Sequence, residues 1–257
     1  MGPAVMAAET LDDRIAAMTP HADVVRPEGP GPFPVVVQMH GCGGRKAFQD
    51  TWAQQARAAG WAAVVLDSYA HRAISRGVAY ATVCTGLRLW GRERAGDLYA
   101  ALEWLRRQAW ADADRMAAAG WSHGGWTVLD ALALQPGADA ARATRLDGLP
   151  AEPLAGLVGA FLVYPWAGMG CLAARRGLRY DARPHALVGG RDAVAGSAGL
   201  RATLEAMPAP TPLRVHWLDD ATHAFDEPEA RDPRVRYNPA RTAQAHALYR
   251  SYLAGAH

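Results

Sequence analysis

The chain has 257 residues, half of them apolar and about 20% charged, with a formal charge of +2. That length suits one large α/β domain or two small ones, and a chain of this size builds a core without disulfide or metal staples. The near-neutral balance, carried by scattered arginines with lysine almost absent, gives no nucleic-acid-binding signature, and no stretch approaches the roughly 18 apolar residues of a membrane span.

The start, MGPAVMAAET, lacks a basic region and a proper apolar region, so it is not an intact secretion signal. A cytoplasmic protein is the expectation, with export left open for a trimmed N-terminus. Residues 1–33 read as an irregular segment, since 21–34 (HADVVRPEGPGPFP) is rich in Pro and Gly. The first buried strand is expected over 34–40 (PVVVQMH), then a helix over 49–59 and a strand over 62–67. A long loop follows from 68 to about 90, then a helix over 92–108, a strand over 115–121 and a helix to about 134. Residues 136–155 read as a loop or insertion. Strands recur at 156–164, 184–188 and 213–218, with helices at 197–207 and 238–253. Short apolar strands alternating with helices predict one α/β domain with a mostly parallel sheet covered on both faces. Ligand sites in such sheets lie beyond the carboxyl ends of the strands.

Residues 120–125, Gly-Trp-Ser-His-Gly-Gly, form G-x-S-x-G between a strand and a helix. A serine on that tight turn needs glycines where side chains would collide, and it is held out of the sheet above a helix N-terminus. Ser122 is the candidate nucleophile, and the N–H of His123 is a candidate oxyanion donor. A Gly-rich turn that merely caps a helix is the plainer alternative. Residues 40–44, His-Gly-Cys-Gly-Gly, follow the first buried strand and offer the Cys42 N–H as the second donor. They do not make a phosphate-binding loop, because Gly44 is followed by Arg45, Lys46 and Ala47, nor a dinucleotide fingerprint.

A serine hydroxyl needs a base near neutral pH. His223, in Asp-Asp-Ala-Thr-His-Ala-Phe-Asp just after a strand, is that candidate; His40 and His123 read as structural and His216 lies inside a strand. Asp192, in Leu-Val-Gly-Gly-Arg-Asp, is favoured over Asp219 and Asp220 as the carboxylate that orients the imidazole. Tyr69, Trp126 and Trp166 are candidates for an aromatic wall, against the alternative of plain core. Arg72 or Arg76 is a candidate partner for a substrate carboxylate, against the alternative of solvated surface. The three cysteines, Cys42, Cys84 and Cys171, form no CxxC and lack histidines at zinc spacing, so no metal is expected. A Cys42–Cys84 disulfide and three reduced thiols both remain open.

Together HGCGG, GWSHGG, GGRD and THAFD resemble the dienelactone hydrolase family over about residues 34–253, and VLDSYAHRAISRG looks like that family's loop beside the active site. The resemblance implies the α/β-hydrolase fold and a cofactor-free, mostly bacterial, single-domain hydrolase of esters and lactones. The family proper carries Cys as nucleophile and an acidic residue in the oxyanion loop; here Ser122 and Cys42-Gly43-Gly44 stand in those places. The chain therefore looks like the serine-using branch, which resembles carboxylesterases and the catalytic domains of prolyl-oligopeptidase-like enzymes. The expected activity is hydrolysis of small esters or lactones through an acyl-enzyme by a monomer or homodimer without nucleic-acid or membrane partners. A peptidase or amidase, or a non-catalytic binding protein on the same fold, are the alternatives.

Overall fold

The computed structural model describes residues 9–256. The described residues begin with β1 (Glu9–Thr10), α1 (Leu11–Met18) and β2 (Ala22–Val25), then β3 (Phe33–Met39), α2 (Phe48–Ala58) and β4 (Ala62–Leu66). After a short helix, α3 (Arg76–Val78), come α4 (Gly91–Arg106), β5 (Ala111–Trp121) and α5 (His123–Ala133). Next are α6 (Ala138–Thr144), β6 (Leu146–Asp147), β7 (Leu157–Val163), α7 (Leu172–Arg176) and β8 (His185–Gly189). The chain ends with α8 (Ser197–Glu205), β9 (Arg214–Leu218) and α9 (Pro239–Ala254).

Seven strands form one sheet in the order β2-β4-β3-β5-β7-β8-β9. Strand β2 pairs antiparallel with β4, and every other neighbour is parallel. The cause is legible in β3 and β4: both are buried along nearly their whole length, and runs of Val and Ala suit a strand covered on two faces. Val35, Val37 and Met39 point into the core shared with α1, α4 and α5, while Val36 points the other way, towards Trp52 of α2 and Tyr249 and Leu253 of α9. Each such side chain contributes about 1.5–3 kcal/mol on full burial. The resulting architecture is the α/β-hydrolase fold.

Two expectations fail here. Residues 1–8 of the segment expected to be irregular lie outside the described residues, and 9–25 are regular: α1 is capped by Thr10, which accepts from the Asp13 N–H while the Asp13 carboxylate accepts from Thr10. That capping box, followed by Leu11, Ile15 and Met18 at helical spacing, was present in the sequence. Residues 136–155 are not a simple loop either, because α6 and β6 lie there. Ala140, Thr144 and Leu146 are buried, and β6 pairs with β1. Three short buried contacts outweighed a Pro- and Gly-containing composition.

Candidate active site

Ser122 stands between β5 and α5 with φ of 52° and ψ of −111°, a backbone state that residues with a Cβ adopt only under strain. Neighbouring structure holds it there. The Ser122 N–H donates to Val163 O at 3.0 Å, and the Ser122 carbonyl accepts from Trp126 N–H at 3.0 Å and Trp166 N–H at 3.1 Å. The flanking glycines are required by approach distance. A Cβ on Gly120 would lie 2.4 Å from Gly124 O, and one on Gly124 would lie 1.9 Å from Met39 O at the end of β3.

His223 follows β9, and its Nε2 is 2.9 Å from Ser122 Oγ. Its Nδ1 is 2.7 Å from Asp192 Oδ2 beyond β8. The carboxylate accepts, so Nδ1 carries the proton and Nε2 is the acceptor facing the serine hydroxyl. The other Asp192 oxygen accepts from the N–H groups of Val194 and Ala195, both at 2.8 Å. Burial pushes the Asp192 carboxyl up, but His223 and those two N–H groups outweigh it and hold the group below its ordinary value. Gly189 and Gly190 make the close approach of the Asp and His loops feasible: a Cβ on Gly190 would meet Asp219 O at 2.2 Å. Asp220 instead pairs with Arg241, as expected of a residue too near His223 in sequence to turn back on it. Strands far apart in the chain thus deliver a hydroxyl, an imidazole and a carboxylate in hydrogen-bonded series. Such a series can draw the proton from the hydroxyl as it attacks an acyl carbon.

The loop Gly41–Gly44 borders Ser122, since a Cβ on Gly41 would sit 3.6 Å from Ser122 Cβ. Among the described residues, neither the Cys42 N–H nor the His123 N–H has a hydrogen-bond acceptor, so both are free to meet an oxyanion. The His123 side chain points away from the cavity. Its Nε2 is 2.8 Å from Leu89 O and its Nδ1 is 3.2 Å from Arg94 Nη1. Burial and the Arg94 guanidinium push its pKa down to about 3. His40 is likewise buried, bridging the Gly41 carbonyl and the Ser68 N–H.

The cavity above Ser122 measures about 360 Å³. Phe48, Trp121, Tyr164 and Trp166 form its apolar wall around Ser122 and His223. Of the four residues expected to bind substrate, only Trp166 lines it. Tyr69 is buried behind the oxyanion loop, donating its O–H to Cys42 O at 2.9 Å. Arg72 is spent on buried Asp97, at 2.7 and 2.8 Å, and on Ser68 O. Asp97 also binds Arg14 at 2.6 Å, so Arg72 belongs to a buried ion network rather than to a pocket. Trp126 is core, packed where Gly91 leaves room: a Cβ there would be 2.4 Å from its ring. A residue just past a strand or in the first turn of a helix has two sides to choose from, and spacing alone does not select one. Arg76 lies on an outer groove with Lys46, Tyr80, Glu227 and Arg231.

Several lining residues were missed. Tyr164 immediately follows β7 with φ of 39°, and its ring centroid is 4.7 Å from that of His223. Trp121 immediately precedes the nucleophile, and the end-of-strand position of both was the available signal. Lys46, the single lysine of the chain, follows the oxyanion loop and pairs with Glu227. Cys42 and Cys84 form a disulfide with Cα atoms 5.1 Å apart, tying the oxyanion loop to the five-residue π-helical turn Ala79–Val83. Cys171 is a buried free thiol.

The resemblance to dienelactone hydrolases is borne out in the fold. A protein assigned as a dienelactone hydrolase from Klebsiella pneumoniae superposes with a TM-score of 0.66 at 18% identity, over 91% of this chain and 92% of its own. A dienelactone hydrolase from Anabaena variabilis gives 0.60 at 19%, over 90% and 89%. Esterase 2 of Thermogutta terrifontis gives 0.57 at 16%, over 88% and 86%. No curated protein matches the chain in sequence. Residues 19–176, which span the oxyanion loop and Ser122, match the family described as X-Pro dipeptidyl-peptidase (S15 family), and the chain belongs to that family of α/β-fold hydrolases.

Proposed function

We propose that the protein is a serine hydrolase of carboxylic esters or lactones that works through an acyl-enzyme. The observation that carries this reading is the unbroken series Ser122 Oγ, His223 Nε2, His223 Nδ1 and Asp192 Oδ2, with links of 2.9 and 2.7 Å. Ser122 Oγ attacks the acyl carbon as His223 Nε2 takes its proton. Asp192 keeps the imidazole in the required tautomer and stabilises the cation that forms. The N–H groups of Cys42 and His123 donate to the developing oxyanion. His223 then gives its proton to the departing alkoxide, and the C–O bond to the alcohol breaks. A water, deprotonated by the same imidazole, attacks the acyl-enzyme and releases the carboxylic acid with Ser122 restored. A cavity of about 360 Å³ lined by the rings of Phe48, Tyr80, Trp121, Tyr164 and Trp166 suits a short or aryl acyl ester.

A second reading, cleavage of peptides, is favoured by the family match, whose description names a dipeptidyl-peptidase. The esterase neighbours favour the first. Purified protein assayed with a short-chain aryl ester and with an X-Pro anilide separates them. Higher kcat/KM on the ester supports the proposal; turnover of the anilide alone replaces it with the peptidase reading. Absence of a fluorophosphonate adduct on Ser122 in folded protein defeats both.

A further inference from the structure

Asp226 lies three residues past His223 on the same turn and is 3% exposed. Its surroundings are aromatic, yet it is a carboxyl. Its Oδ2 accepts from Trp52 Nε1–H at 2.9 Å and from Trp121 Nε1–H at 3.1 Å. Its Oδ1 accepts from the Tyr164 O–H at 2.6 Å. These donors come from α2, from the last residue of β5 and from the residue just past β7. Trp121 is covalently joined to Ser122, and Tyr164 packs on the His223 ring. Both line the cavity. Two of the backbone positions involved, Tyr164 with φ of 39° and Ala224 with φ of 46°, are held in the left-handed region without being glycine. Such states persist only where surrounding contacts over-determine them.

We propose that Asp226 is a positioning residue, whose two oxygens register the His223 turn against the nucleophile strand through Trp121 and Tyr164. This rests on the reading of Ser122 and His223 given above and extends it to a side chain that touches neither substrate nor triad. An apolar residue would fill the same space but leave two indole N–H groups and a phenol buried without an acceptor. It would also remove the hydrogen-bonded tie from the His223 turn to Trp121 and Tyr164. Burial pushes the Asp226 carboxyl up to about 6, with the Tyr164, Trp52 and Trp121 donors opposing it. Glu227 follows it in sequence, and His246 of α9 packs against the far side of Trp52 at 4.5 Å. A protonated carboxyl here still accepts from both indoles through one oxygen, and can reverse the bond to Tyr164 by donating to it. An asparagine reproduces that pattern.

The test compares Asp226→Ala, Asp226→Asn and Tyr164→Phe with the parent on a short-chain aryl ester. The value of kcat is expressed per site titrated by a fluorophosphonate probe, with the melting temperature recorded alongside. Asp226→Ala is expected to lower kcat per titrated site about tenfold or more, because sub-ångström misplacement of a base costs one to two orders of magnitude. Asp226→Asn is expected to recover to within about threefold of the parent, with Tyr164→Phe between the two. A packing role alone lowers the melting temperature and the titrated fraction but leaves kcat per site unchanged; that result overturns the proposal. So does an asparagine variant as impaired as the alanine one. If Asp226→Ala yields no folded protein, Tyr164→Phe decides, and an unchanged kcat there overturns the proposal. A parent that takes up no probe at Ser122 defeats the site reading itself and this proposal with it, an outcome distinct from a labelled parent with indifferent variants.

Discussion

At the floor of the cavity, Asp192 and His223 are 2% and 7% exposed, and Ser122 is half-buried between two strands and a helix. The mouth is built otherwise, from residues 76–90 and 227–236, where Leu87 is 78% exposed, Tyr80 is 50% exposed and Arg231 stands in solvent. The floor is held by backbone hydrogen bonds, close glycine contacts and buried acceptors. The mouth is held by the Cys42–Cys84 bridge and by ion pairs such as Lys46–Glu227 and Arg234–Asp232. The contrast teaches that geometry at the floor is over-determined, so substitutions there act on chemistry. Geometry at the mouth rests on few ties, so substitutions there act on binding and on local stability.

The sharpest way to break that contrast is Ser122→Ala. It should lower ester turnover by roughly 10⁴–10⁶-fold with an unchanged urea midpoint; activity within a few-fold of the parent would remove Ser122 from its role. Asp192→Asn keeps the shape but favours the wrong imidazole tautomer, and a loss of roughly 10³–10⁴-fold in kcat is expected from the same assay. Reducing the Cys42–Cys84 bridge, or replacing Cys84 with Ser, opens a link of sequence separation 42. Denaturant titration should register a loss of roughly 2–4 kcal/mol, with kcat reduced far less than by either floor substitution.

A smaller effect sets the floor's two buried acids apart. Asp192 lies below its ordinary pKa, whereas Asp226 is raised from 3.8 to about 6. Between those two values the folded chain holds more protons at Asp226 than the unfolded chain, so that group costs stability as pH climbs, and the cost is complete above about 6. Asp226→Asn escapes it. Relative to the parent, the variant should gain up to roughly 2–3 kcal/mol between pH 4 and 7, read by urea unfolding at each pH. A parallel pair of stability curves would refute the assignment. Smallest of all is Arg231→Ala at the mouth, expected to raise KM for an anionic ester about two- to threefold at low salt and to leave a neutral ester unaffected.

The floor was largely legible before any coordinates. Gly120 and Gly124 marked a place where chains must nearly touch, and uninterrupted Val and Ala runs marked buried parallel strands. Ser122, His223 and Asp192 were singled out because each follows a strand, and the structure brings the three into hydrogen-bonding contact. The cavity wall was not legible in the same way. Tyr69, Arg72 and Trp126 occupy the expected segments but turn into the core, towards Cys42 O, Asp97 and Gly91 respectively. Which way a side chain turns beyond a strand depends on partners remote in sequence. Asp97, for example, recruits Arg72 because it is buried and already shared with Arg14. The helix at residues 11–18 was legible through its Thr10–Asp13 box and was hidden by the Pro and Gly that follow it.

The contact of Gly124 with the end of β3 has a mechanical consequence. The helix that begins at His123 is seated directly on Met39 O and His40 O, the atoms from which the Gly41–Gly44 loop departs. The two backbone segments assigned to the oxyanion therefore move as one rigid block. Fitting acyl groups of different girth then falls to the exposed rim, and enlarging residue 124 would wedge both donors apart at once.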